Sequence, residues 1–402
     1  MTADATMDIL LDVTRLIWRR WRGGLPTGVD RVCLAYLEHF GPRARAVIQR
    51  RGVHLTLSHH QSSQLSNLLL DQSSDFRKRL VLVGAKALWR SLSGFRPPAG
   101  AVYLNVGHTG LDEPSLPAWI VRYQLRAVYL IHDLIPITHP QFCRPGEDRK
   151  HMRRMINVLV SASGIIGNSQ ATVDEVAALA ARHDIPMPAN VAVWLGGNVP
   201  LRADGIGSAG RPYYVVLGTI EGRKNHQLLL EVWSRLVARL GGAAPRLVIV
   251  GKRGWEAEKI FDQLDSLGPL ASYIEERSRC SDEELAPLMA GARALLMPSF
   301  AEGYGLPVFE ALDLGTPVIA ADLPVYREVA GAIPFYLPPD DVTAWERALS
   351  SYATDGPERL GQLQRMQGFK APDWKHHFAA VEGWLTRLLI DQAHGLNAGR
   401  TP

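Results

Sequence analysis

SFAEGYGLPVFEALDL, residues 299–314, is the stretch on which the fold turns. It follows the apolar ALLMP of 294–298, so a buried strand runs into a glycine-containing loop that opens a helix. Glu302 lies just before that helix and Glu310 about two turns into it, which lets both carboxylates face one elongated ligand. Gly303 and Gly305 allow backbone amides to approach closely, and a helix start carries partial positive charge suited to phosphate. Free amides beside a carboxylate suit a ligand with both a phosphate and hydroxyl donors, namely a nucleotide sugar. A capping loop with a surface glutamate is the plain alternative.

Working outward, the strand candidate Tyr213–Gly218 ends in TIEGRKNH, residues 219–226, directly before another helix. Arg223 and Lys224 therefore sit where cations oppose a helix dipole, an unfavourable arrangement without an anion to bind. A local conflict of that kind is expected at a functional site. A solvated Arg-Lys pair is the bland account.

Elsewhere short apolar runs alternate with amphipathic ones, the pattern of an α/β chain with parallel sheets flanked by helices. Strands are expected at Met7–Val13, Ala101–Val106, Ala127–His132, Gly164–Gly167, Val191–Leu195, Arg246–Gly251, Ala294–Pro298 and Pro317–Ala320. Helices are expected at Val29–Phe40, Arg149–Val160, Thr172–Arg182, about Asn225–Leu240, Glu256–Leu267, Asp282–Gly291 and Gly305–Leu314. The Gly-rich stretch 200–212 reads as a linker, and its GxGxxG at 205–210 precedes a strand instead of following one, so it is an accidental match. The expected division is 1–200, 201–373, and an amphipathic C-terminal helix from 374 that caps the second domain or crosses back to the first. Ligands of two such sheets bind beyond the carboxyl ends of the strands, in a cleft between facing domains.

The 402 residues are 47% apolar and 21% charged, enough for two sizeable cores. No apolar run approaches the roughly 20 residues that span a bilayer. Three scattered cysteines and no CxxC or HExxH speak against a disulfide framework or a zinc site. These features predict a cytoplasmic protein. Residues 1–200 carry a net charge of +8 and the remainder −4, so the first half is suited to an acidic partner. No nucleic-acid recognition module is present, which leaves an anionic membrane surface or a merely solvated face. Two basic stretches, Arg15–Arg22 with Trp18 and Trp21, and Arg77–Arg96 with Trp89, suit peripheral attachment to the inner face of the cytoplasmic membrane. Arginine stems covering ordinary apolar surface are the alternative.

EGRKNHQLLLEVW, RLVIVG and SDEELAPLMAGARALLMPSFAEGYGLPVFEALDLGTPVIAADLPVYREVAG together resemble the family-4 retaining glycosyltransferases of the GT-B fold, with Glu302 and Glu310 matching the family's E-x7-E. TGVDRV, IHDLIPITHPQF and GNSQAT are similar to mannosyl- and rhamnosyltransferases of bacterial surface-polysaccharide assembly. The resemblance implies two Rossmann-like domains and a nucleotide-diphosphate sugar as donor. It implies that Glu310 holds ribose hydroxyls, Glu302 faces the donor sugar, and Lys224 and Arg223 neutralise the diphosphate. The backbone of Gly303, Tyr304, Gly305 and Leu306 would contact phosphate and sugar oxygens, and Arg279 and Cys280 would bracket the nucleobase. Gly28 would let the backbone approach the donor. His132, with its neighbour Asp133, would reach the donor sugar or an acceptor hydroxyl. Many relatives carry an arginine where this chain has Thr219, so Arg253 is a further candidate cation.

No D-x-D occurs in the sequence, so metal-independent transfer is expected, with no cofactor. Retention by same-face attack is implied by the family. The acceptor is expected to be a saccharide or lipid-linked saccharide, and mannosyl from a GDP-sugar is the favoured transfer, with no nucleic-acid partner. A catalytically silent nucleotide-sugar-binding subunit of a polysaccharide assembly complex, or a sugar-nucleotide epimerase of the same fold, are the competing readings.

Overall fold

A computed structural model describes residues 7–23, 26–71, 75–81, 96–197 and 210–398. Residues 205–209 of the accidental GxGxxG, most of the linker and residues 82–95 of the second basic stretch lie outside the described residues. The chain forms two compact units. The first comprises the chain to Leu134, Arg149–Leu195 and the segment from Trp374 onward; the second comprises Ile135–Asp148 and Gly196–Asp373.

The first unit is built on β1 (Ile9–Asp12), β2 (Ala44–Arg50), β3 (Val53–Thr56), β4 (Val102–Asn105), β5 (Arg126–Ile131), β6 (Ala162–Gly167) and β7 (Ala189–Ala192). Their order is β3-β2-β1-β4-β5-β6-β7, parallel except for the β2–β3 hairpin. β1 and β4 are buried along their whole length, as continuous apolar strands covered on both faces must be. Helix Trp374–Ala398 packs on this unit: a Cβ on Gly164 of β6 would stand 2.5 Å from the Trp384 ring. Phe378 of the same helix stacks on His39 at 3.9 Å.

The second unit contains β8 (Tyr213–Leu217), β9 (Arg246–Val250), β10 (Ile274–Arg277), β11 (Leu295–Met297), β12 (Val318–Ala321) and β13 (Phe335–Leu337). All pairings are parallel in the order β10-β9-β8-β11-β12-β13, the doubly wound arrangement whose strand order reverses between β8 and β11. Trp233 and Trp345 are fully buried with Leu229, Leu236 and Ile249 on one face of this sheet. Each such aliphatic side chain contributes about 1.5–3 kcal/mol on burial. The Trp233 indole N–H is satisfied by the Pro245 carbonyl at 2.9 Å.

Segment 135–148, expected within the first domain, belongs to the second unit. Its aromatic and basic side chains account for this. Phe142 stacks on Phe300 with centroids 5.3 Å apart, and Arg144 lies over Trp255.

Candidate functional site

The loops that follow β8 and β11 leave the second sheet at its switch point, where parallel α/β sheets bind ligands. They are tied to each other. Asn225, in the left-handed region at φ 56°, donates from its side chain to the carbonyls of Pro298 (3.1 Å) and Pro339 (2.6 Å). The Phe300 amide donates to the Arg223 carbonyl at 2.8 Å. β8 and β9 also approach closely just past their ends, since a Cβ on Gly251 would fall 1.8 Å from the Gly218 carbonyl oxygen.

This frame brings Arg223 and Lys224 onto Glu302. The Lys224 ammonium donates to Glu302 Oε1 at 2.5 Å, and Arg223 Nη1 donates to Oε2 at 2.8 Å. Ser299 Oγ adds a third donor to Oε1 at 2.7 Å. Arg223 Nε also pairs with Glu221 at 2.7 Å. Burial alone would push the Glu302 carboxyl upward, but the two cations and these hydrogen bonds outweigh it and hold the group at about 2. Burial pulls Lys224 below its ordinary value, against the pull of Glu302. Burial raises Glu221 despite the adjacent cations. Two cations face two carboxylates, so the cluster is close to charge balance.

Helix Leu306–Asp313 begins beside Glu302, with Pro307 in its first turn, where the missing N–H costs nothing. Gly305 precedes it at φ +87°, and a Cβ there would stand 2.3 Å from the Tyr326 ring, so only glycine fits. Glu310 is buried on this helix, and its Cγ is 3.9 Å from where a Cβ on Gly197 would lie. Tyr304 is buried with its ring edge-on to Phe309, so only its backbone remains for a ligand. Thr219 is half-buried at the end of β8. Arg279 is exposed and Cys280 half-buried beyond the carboxyl end of β10, ahead of helix Asp282–Ala290.

Arg253, the further candidate cation, is also paired. Its guanidinium is bound to Asp265 at 2.7 Å and to Glu276 at 2.8 Å, partners supplied by a neighbouring helix and by β10.

His132, Asp133 and Gly28 lie in the first unit. His132 follows β5 and is buried, with its Nε2 2.8 Å from the Val106 carbonyl. A carbonyl only accepts, so Nε2 carries the proton and the neutral ring keeps Nδ1 as an acceptor. Burial holds this ring at about 4. The carbonyl of half-buried Asp133 lies 3.2 Å from His151 Nε2. Gly28 opens helix Gly28–Phe40, where the Thr27 amide and hydroxyl both donate to Asp30. Asp30 also receives Arg15 at 2.6 Å and Arg19 at 3.1 Å, so two arginines of the first basic stretch are committed to an internal carboxylate. Ser169 caps the following helix, accepting from the Thr172 amide, while the Asn168 side chain donates to the His132 carbonyl at 2.8 Å.

Glu221, Ser299 and Asn225 are site-building residues that the sequence reading did not assign. Each lies within three positions of a residue that it did assign, which is the signal available for them. Among the described residues, no group of three His, Cys, Asp or Glu side chains is placed to hold a metal ion.

Residues 211–355 match the family described as glycosyl transferases group 1. The serotype-specific mannosyltransferase WbdA of Escherichia coli is 29% identical over 253 residues, covering 58% of this chain and 31% of its own length. O-antigen chain mannosyltransferase B of Escherichia coli is 36% identical over 165 residues, covering 41% of this chain and 43% of its own. The chain thus spans less than half the length of these curated relatives. Among solved structures, Anabaena Alr3699/HepE in complex with UDP superposes with a TM-score of 0.62 at 16% identity, covering 98% of this chain and 100% of that one. That likeness concerns the fold. Residues 211–355 thus resemble a group 1 glycosyl transferase segment, and the two parallel sheets share the GT-B fold of the solved neighbours.

Proposed function

We propose that the protein is a retaining, metal-independent glycosyltransferase that moves a hexosyl group, mannosyl by preference, from a nucleotide-diphosphate sugar to a saccharide or lipid-linked saccharide acceptor in surface-polysaccharide assembly. The convergence of Arg223 and Lys224 on Glu302 at the switch point of the second sheet carries this reading. The mannosyltransferase names of the relatives support the sugar.

In the proposed reaction the anomeric C–O bond to the diphosphate breaks while a bond to the acceptor oxygen forms on the same face. The acceptor proton passes to the departing phosphate. Negative charge grows on the diphosphate, and Lys224, Arg223 and the amides at the start of helix Leu306–Asp313 would stabilise it. Glu302, released from the two cations, would turn to sugar hydroxyls, and Glu310 would hold the ribose. His132 would accept a hydrogen bond from a sugar hydroxyl at Nδ1.

A lipid-linked acceptor would be met at the membrane. Exposed Trp21 lies next to Arg77, whose guanidinium donates to its carbonyl at 2.7 Å, so the start of the second basic stretch meets the first. This is the surface we assign to anionic lipid.

Thermal-shift measurements with GDP-mannose, UDP-glucose and dTDP-rhamnose test the donor assignment, since a bound donor stabilises the native state in proportion to its affinity. One donor should raise the melting temperature. That donor should be transferred to a mannoside acceptor with turnover about 10²-fold lower in Lys224→Ala. Stabilisation by none of them, or unchanged turnover in the variant, overturns the reading.

A further inference from the structure

Tyr326, on helix Pro324–Ala330 after β12, is 1% exposed, and among the described residues its hydroxyl has no hydrogen-bond partner. The Glu302 carboxylate and the Ser299 hydroxyl are among the groups that act on this hydroxyl, and neither is bonded to it. The ring is held in place by the chain opposite, filling the space that a Cβ on Gly305 would need. A buried hydroxyl without a partner destabilises the fold, and phenylalanine would fill the same volume without that cost. The oxygen is explained if it acquires a partner in another state of the site.

The proposed chemistry supplies that state. In the free protein Glu302 accepts from Lys224, Arg223 and Ser299. An arriving diphosphate competes for both cations. Glu302 would then keep Ser299 as its one donor from these protein groups, an expensive arrangement for a buried carboxylate. We propose that Tyr326 is the positioning residue for Glu302 in the donor-loaded site, its hydroxyl donating to the carboxylate oxygen that the cations release. The inference rests on the reading of this cluster as a diphosphate site. Because an O–H···O⁻ bond is short and charge-assisted, it would also fix the orientation in which Glu302 meets the sugar.

The test uses the full chain and inorganic pyrophosphate as the probe, with Tyr326→Phe as the variant. Without ligand the variant should melt at the wild-type temperature or above it, because it loses no bond. Its pyrophosphate affinity by titration calorimetry should fall about tenfold, as expected for a hydrogen bond to a charged group. With the donor that the thermal-shift panel selects, kcat should fall with it. In a Glu302→Ala background the effect of Tyr326→Phe should vanish, because the hydroxyl acts through that carboxylate.

A merely structural tyrosine would instead lower the melting temperature of the free protein and leave affinity unchanged, and that result overturns the proposal. Equal pyrophosphate affinity in wild type and variant also overturns it, as does an effect that persists without Glu302. Failure of the wild-type protein to bind pyrophosphate would sink the diphosphate reading itself, a distinguishable outcome.

Discussion

Glu302 shows how one buried side chain can hold a site in readiness. Burial opposes its charge, yet two cations and the Ser299 hydroxyl hold its carboxyl at about 2, against an ordinary 4.5. The sign of the pH effect follows. A carboxyl whose folded value is depressed contributes stability that is fully present above its unfolded value and lost as pH falls through its folded value. The contribution is therefore complete above about pH 4.5 and disappears toward about pH 2. Glu302→Gln leaves Lys224 without the carboxylate that it contacts and Arg223 with Glu221 alone, and breaking a buried pair in this way is strongly destabilising. At pH 7 the variant should melt at least about 5 °C below wild type, and the difference should shrink as pH drops from 4.5 toward 2. Paired melting curves across that range check it. A difference independent of pH would mean that the ion pairs are not what Glu302 contributes.

At the scale of elements, the turn between β11 and helix Leu306–Asp313 is held by an aromatic ring. Gly305 combines φ +87° with a Tyr326 carbon 2.3 Å from a would-be Cβ, whereas Gly315, just beyond the same helix, has φ +79° and open space. The pair separates backbone strain from collision. Gly315→Ala should cost about 1 kcal/mol, the strain of a left-handed non-glycine residue. Gly305→Ala adds displacement of a packed ring and should cost about 3 kcal/mol in denaturant titrations, with a parallel loss of turnover. Equal costs would show that Tyr326 does not fix the loop. The same elements show what the sequence could disclose. Strands buried on both faces, such as β8 and β11, are legible because their apolar runs are continuous, and Arg223, Lys224 and Glu302 are legible because they follow those runs directly. Edge strand β10, Ile274–Arg277, reads IEER and carries no apolar run, since an edge can face water with charge. The β2–β3 hairpin also went unread, although Arg51 and Gly52, at φ 48° and 78°, have the two left-handed residues of a tight hairpin turn. The pairing of Arg253 was not legible, because spacing along the chain does not reveal Asp265 and Glu276, which the fold brings to it. Tyr326 was invisible for a related reason: its approach to Glu302 is made by a βαβ crossover, not by a motif.

Across the whole molecule, formal charge overstates the positive potential on offer. The first half's excess of basic residues is partly spent internally, with Arg15 and Arg19 on Asp30 and Arg20 donating to the Asp71 carbonyl. In the second unit, Arg223 and Lys224 are balanced by Glu221 and Glu302. Under the proposed function a departing diphosphate would therefore be stabilised by exchange of partners, the cations turning from carboxylate to phosphate, aided by amides at a helix start. A divalent ion would make that exchange unnecessary. The chain has no D-x-D to hold one, and its cations already stand at the switch point of the second sheet. We therefore predict that transfer measured with the donor chosen by thermal shift proceeds at an unchanged rate after exhaustive treatment with EDTA. Added manganese or magnesium should change that rate by less than about twofold. Salt should matter more, since it screens partly exposed Arg223 as that side chain reorients. Loss of activity on chelation, restored by manganese, would show that an ion carries the leaving charge, and the roles assigned to Lys224 and Arg223 would fall with it.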